Sequence, residues 1–195
     1  MVLSSVLDSG RRPLGWVLFV ATATVLTACA PTSGASSGAA GSPAPHITAT
    51  SPSPLTPAVT ARQEAIESYV GMWHDMAAAA TTSDWRSPRI GAHATGDALL
   101  VISKSLYTDH LNNVVTKGEP KNEPTVSSMN PPEDPTTVLI SDCGDDSGWL
   151  KYRTDGRLLN DAPGGRRAIT AEVKKQPDGS WKVSRFAVEA VGSCT

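Results

Sequence analysis

Hydrophobic positions divide the chain into stretches of different period. Residues 14–26 (LGWVLFVATATVL) form an uncharged apolar run, and residues 30–60 carry almost no apolar side chain larger than Ala. Beyond them Ala65, Ile66, Tyr69, Val70, Trp73, Met76, Ala77 and Ala80 recur at helical spacing. Thr60 stands as the N-cap of this helix, with Gln63 completing a capping box, and the helix fades near Thr81-Thr82. Ser83-Asp84 caps a short second helix through Trp85, broken by Pro88. A third helix follows Thr95, carries Ala98, Leu99, Ile102 and Leu106 on one face, and ends around Asn112-Asn113.

Everything afterwards reads as strand. The runs 114–119, 124–129, 136–143 and 149–153 are short and separated by Pro, Gly, Asp and Asn, with the last two forming the clearest hairpin among them. Residues 167–175 alternate, with Ile169, Ala171 and Val173 on one face and Thr170, Glu172 and Lys174 on the other. Gln176-Pro177-Asp178-Gly179 is turn chemistry, and 181–191 returns. Its alternation slips a phase between Val183 and Phe186, which predicts a β-bulge near Ser184 and Arg185. Helices first and antiparallel strands afterwards make an α+β order, with N-terminal helices packed on a curved antiparallel sheet.

The N-terminal apolar run changes the picture. Arg11 and Arg12 precede it, and Leu26-Thr27-Ala28-Cys29 follows it. A positive start, a short apolar stretch and small residues before a cut describe a secretory signal peptide. The ending resembles a bacterial lipobox. That resemblance implies a signal peptide over residues 1–28, a diacylglyceryl group on the Cys29 thiol, and a protein anchored on the extracytoplasmic face of the membrane. The residues around Arg11-Arg12 match a twin-arginine motif poorly, which favours general secretion. Residues 29–60 hold no charged side chain and consist mainly of Ala, Ser, Thr, Pro and Gly. Such a segment cannot offset its ordering entropy by burial, so it reads as a disordered tether spanning roughly 30 Å as a random coil. Residues 61–195 then form the domain, long enough for one core.

Across its 195 residues the chain carries 17 Lys and Arg against 19 Asp and Glu, a formal charge of −2. Without a basic excess there is no electrostatic footprint for nucleic acid. No apolar run reaches the roughly 18–20 residues of a spanning helix. There are three cysteines. With Cys29 acylated, Cys143 and Cys194 remain as an even pair in an oxidising compartment, so a disulfide between them is the default expectation. The alternatives are a reactive thiol or a metal site, but the chain has no Cys-x-x-Cys and no His near either cysteine in sequence.

Several local motifs resemble a group of actinobacterial envelope lipoproteins. They include Met72-Trp73-His74-Asp75-Met76, Thr82-Ser83-Asp84-Trp85-Arg86-Ser87-Pro88, His93-Ala94-Thr95-Gly96-Asp97-Ala98-Leu99 and Lys117-Gly118-Glu119-Pro120. Asp142-Cys143, Trp149-Leu150-Lys151-Tyr152, Pro163-Gly164-Gly165-Arg166 and Trp181-Lys182-Val183 extend the likeness. The element order resembles the nuclear-transport-factor-2-like (SnoaL-like, cystatin-like) cone. That resemblance implies a sheet curved around the first helix, with a concave side able to form a cavity. Members of such a fold include enzymes and non-catalytic proteins, so the fold assigns no activity.

The resemblance to ketosteroid-isomerase-type cone enzymes implies a carboxylate base beside a Tyr or a neutral acid. The candidates here are Asp142 and Tyr152, with Tyr107 and His110 behind them. Asp142 shares strand parity with Val138 and Ile140, so it points to an apolar face or else ends its strand on backbone amides near Gly144. Asp142, Asp145 and Asp146 lack the spacing of a calcium loop and read as a solvated acidic turn. His74, His93 and His110 sit on separate segments without a His-Glu-x-x-His pattern and read as surface or capping residues. Trp73, Trp85, Trp149 and Trp181 read as core before pocket, since the chain has only two Phe. No cofactor or metal is expected. The expected function is a non-catalytic, membrane-anchored lipoprotein whose domain binds an envelope protein or a small apolar ligand. The alternative is a cone-fold isomerase or dehydratase.

Overall fold

The computed structural model describes residues 56–159 and 164–194. Residues 1–55, which hold the expected signal peptide, Cys29 and most of the expected tether, lie outside the described residues. Helix α1 runs Pro57–Ala80, α2 Ile90–His93 and α3 Gly96–Leu111. Among the described residues six strands follow: β1 Val114–Lys117, β2 Thr125–Asn130, β3 Thr137–Asp145, β4 Leu150–Arg153, β5 Arg166–Lys175 and β6 Trp181–Val188.

Helix α1 starts earlier than its apolar spacing predicts. Thr56, not Thr60, is the N-cap and accepts from the Val59 amide, with Pro57 in the first turn. Pro is preorganised for that position and has no amide proton there to leave unpaired. Gln63 does not complete a capping box but donates to Glu67, one turn on. The helix ends at Ala80, near the expected Thr81-Thr82, and three residues on Ser83 adopts a left-handed φ of 52°. The Ser83 hydroxyl donates to the Val114 carbonyl, fixing the helix end to the start of β1.

The short second helix also differs from expectation. Residues around Trp85 form turns, and the helix forms only after Pro88, where that ring no longer interrupts it. Helix α3 does follow Thr95. The Thr95 amide donates to the Val183 carbonyl at 2.9 Å, tying the start of α3 to β6.

The strands form two antiparallel sheets, β1-β4 and β2-β3-β5-β6. This corrects the expected pairing of the third strand with the fourth. Strand β3 spends one edge on β2 and the other on β5, leaving none for β4, which pairs with β1 instead. The hairpin β5-β6 forms around Gln176–Gly179, with Ser184 as the bulged residue between the pairs Glu172↔Arg185 and Val173↔Val183. A second bulge falls at Ser127 in β2. Both bulged serines donate across to the neighbouring strand, Ser127 to the Leu139 carbonyl and Ser184 to that of Glu172. Bulges bend a strand and raise its twist, so the two outer strands of the four-stranded sheet curl.

Helix α1 packs against β1, β2, β3, β5 and β6, and α3 packs against β6 and β1. The core joins Tyr69, Met72, Ile102 and Leu106 of the helices to Val138, Ile140, Val173 and Val183 of the sheet, all fully buried. Each such aliphatic side chain contributes roughly 1.5–3 kcal/mol by burial. The result is the expected α+β arrangement of helices on a curved antiparallel sheet. Cys143 of β3 and Cys194 form a disulfide, with Cα atoms 5.9 Å apart.

Candidate functional site

An apolar cavity of about 300 Å³ opens between α1, α3 and the sheet. Its walls include Trp73 and Met76 of α1, Ile102 of α3, Trp149 before β4, and Ile169 and Phe186 of the sheet. Trp73 organises these rings. It stands edge-on to Trp149 with centroids 6.3 Å apart and to Phe186 at 5.5 Å. Offset edge-to-face contacts of this kind favour one packing geometry over others. Val101 and Val188 also line the cavity and are 53% and 42% exposed, so its mouth is aliphatic.

One charged pair stands in this wall. Asp146 accepts from the Gly165 amide at 2.6 Å and from Arg167 Nε at 3.0 Å. Asp145 turns elsewhere and caps the Ser147 amide. The three acids read as one turn therefore diverge: Asp142 enters the core, Asp145 holds the turn, and Asp146 faces the cavity. Asp142 and Asp145 lie within β3, which runs further than its apolar pattern indicates.

Asp142 is buried, which corrects its reading as part of a solvated turn and selects the apolar-face alternative; its one backbone partner is the Glu123 amide, not an amide near Gly144. One oxygen accepts from Tyr69 at 2.8 Å and from Asn122 at 2.7 Å, and the other from the Glu123 amide at 2.8 Å. Burial, then the charge of Asp142, pushes the Tyr69 phenol well above its ordinary range. Asp142 is not among the side chains that line the cavity. Tyr152 is not brought to it. Tyr152 lies on β4 opposite Val115, with the Lys117 ammonium 4.8 Å above its ring. The phenol beside Asp142 comes instead from α1. The available signal was that Tyr69 falls on the apolar face of α1, one turn before Trp73.

The histidines remain apart. His93 Nδ1 lies 2.7 Å from the buried carboxylate of Asp75, with Arg89 at 3.9 Å from its other oxygen. His74 is exposed and His110 lies in the last turn of α3. Tyr107 stacks edge-on against Trp85 at 5.1 Å. Among the described residues there is no cluster of three His, Cys, Asp or Glu side chains placed to hold a metal ion. Of the tryptophans, Trp73 is both core and cavity wall, while Trp181 is core and donates from Nε1 to Glu64 at 2.9 Å. Among the described residues no helix is long and apolar enough to cross a membrane.

No protein-family model matches the chain. No curated protein matches it either. Among solved structures it is similar to the intermembrane space region of the chloroplast protein ARC6, at 17% identity and a TM-score of 0.38, covering 70% of this chain and 99% of that one. It is also similar to a ketosteroid isomerase-like protein from Erwinia carotovora atroseptica, at 11% identity and a TM-score of 0.43, covering 65% and 93%. A third is a structure from Catenulispora acidiphila, at 15% identity and a TM-score of 0.39, covering 67% and 91%.

Proposed function

We propose that this chain is a non-catalytic, extracytoplasmic lipoprotein, anchored through Cys29, whose nuclear-transport-factor-2-like domain holds a small apolar ligand. The observation that carries the ligand reading is the cavity: about 300 Å³, walled by aromatic and aliphatic side chains, with its one charged pair already matched internally. Sites of this size and lining bind by removing apolar surface from water, with few polar groups to orient the ligand. The Cys143–Cys194 disulfide supports an oxidising compartment.

A second reading, an acid–base enzyme, has the Tyr69–Asp142 contact in its favour. A base needs an accessible lone pair and a substrate within hydrogen-bond reach. Asp142 accepts three hydrogen bonds inside the protein and lies outside the cavity lining, which weighs toward a structural role.

Calorimetric titration tests the ligand reading. The Cys29→Ser chain, prepared without detergent, should bind 1-octanol saturably and with a negative heat-capacity change. Val101→Arg puts a charge at the exposed mouth and should weaken that binding at least about tenfold, the effect of ~1.4 kcal/mol, with Tm unchanged. Unsaturable heats in the parent chain, or equal binding in the variant, would reject the cavity as the site.

A further inference from the structure

A second cavity, of about 260 Å³, adjoins the first. The two share Met76, Ser105, Asp146, Trp149 and Arg167 as lining residues. Their characters differ. The first is aromatic and aliphatic. The second adds Asp109 of α3 with Thr116 and Lys151 of the two-stranded sheet. Lys151 Nζ lies 2.9 Å from Asp109 Oδ1, and Asp109 is buried. Arg167 and Asp146 form the second ion pair, at 3.0 Å. The second chamber is thus rich in donors and acceptors, yet its cations and acids are matched one to one.

We infer that the ligand is a single-chain amphiphile whose uncharged polar end bears several hydroxyl groups, as a sugar does, rather than one. Its chain fills the aromatic chamber and its polar end lies beside Lys151, Asp109 and Thr116. This rests on the apolar-ligand reading and extends it to a chemical class. Three observations support it. Five shared lining residues make the chambers immediate neighbours, and the proposal places one elongated molecule across both. The aliphatic mouth at Val101 and Val188 admits the chain. The paired charges select the polar end. An anion must compete with Asp109 or Asp146 for its cation, leaving a carboxylate unpaired in a partly desolvated site. A hydroxyl both donates and accepts, and it can use the N–H donors that Lys and Arg retain after each has engaged one acid.

Three eight-carbon probes separate the possibilities: 1-octanol, octyl β-glucoside below its micelle concentration, and octyl sulfate. They are titrated calorimetrically into the Cys29→Ser chain. The glucoside should bind about tenfold more tightly than octanol, the effect of roughly two added hydrogen bonds. The sulfate should bind no more tightly than octanol. Replacing the ion pair as a unit, Asp109→Asn with Lys151→Met, should abolish the glucoside preference and leave octanol binding in place. Should the double variant fail to fold, Thr116→Val must at least reduce the preference. Equal binding of octanol and glucoside would overturn the inference while leaving the apolar-ligand reading standing. Tightest binding by the sulfate, or a preference that survives both variants, would also overturn it. No saturable binding of any probe would remove the underlying reading.

Discussion

The Tyr69 hydroxyl of α1 donates to Asp142 of β3 at 2.8 Å, joining the first helix to the centre of the sheet across 73 positions of sequence. Asn122 and the Glu123 amide complete the carboxylate's partners. The group therefore clamps three separate segments around one buried charge. A satisfied network of this kind stabilises, whereas removing one member leaves the others desolvated and unpaired.

Tyr69→Phe should lower stability by about 1–3 kcal/mol at neutral pH, measured by urea unfolding. The pH dependence has a definite sign. Burial and the Asp142 charge raise the phenol's pKa in the folded state. Above pH ~10 the unfolded chain releases this proton while the folded chain keeps it. The unfolded state then binds fewer protons, so stability falls as pH rises, by up to about 1.4 kcal/mol per pH unit from this group. The contribution is fully present below pH ~10 and is lost toward the raised folded value. The difference between parent and Tyr69→Phe curves should show this slope; parallel curves would contradict it.

The disulfide closes a loop with a sequence separation of 51 residues. In the chain-entropy model that loop contributes about 4 kcal/mol. Replacing Cys143 and Cys194 together by Ala should shift the urea midpoint down accordingly, and thiol alkylation of the oxidised parent should label neither cysteine. Two alkylatable thiols in protein recovered from the envelope would rule out the bond there.

Gly118, just after β1, has φ +84° and lies against the Gly148 carbonyl. A Cβ there meets backbone, which cannot rotate away, and also carries the left-handed penalty. Gly118→Ala should cost roughly 2–5 kcal/mol, seen as a lower Tm. An unchanged Tm would show that this approach does not constrain the loop before Trp149.

For the anchor, metabolic labelling with a palmitate analogue should mark the parent chain and not Cys29→Ser. The variant should leave the membrane fraction. Label retained on the variant would reject Cys29 as the acylated residue.

Much of the local structure was legible because it depends on near neighbours. The alternation of residues 167–175 predicted β5, and the phase slip after Val183 located the bulge at Ser184, since pleating makes face assignment strictly periodic. For Asp142 the parity with Val138 and Ile140 offered burial as one of two readings, and only the structure chose it over a solvated strand end. The start of α1 was misjudged because Thr60 and Thr56 both offer a capping hydroxyl, and only Thr56 is followed by Pro at the first helical position.

Long-range choices lay beyond the sequence. Nothing local in β3 says whether its free edge takes β4 or β5, because either pairing satisfies the same backbone groups. Which phenol meets Asp142 depends on where α1 crosses the sheet. By itself, then, the sequence determined the α+β order and the apolar face that each helix and the β5-β6 hairpin bury, both consequences of periodicity and composition. Only the tertiary structure decided that Tyr69 rather than Tyr152 meets Asp142, and that Trp73 and Trp149 wall a cavity as well as a core. Those relationships arise from segments far apart in the chain, and their geometry exists only after packing has fixed the helix crossing and the curl of the sheet.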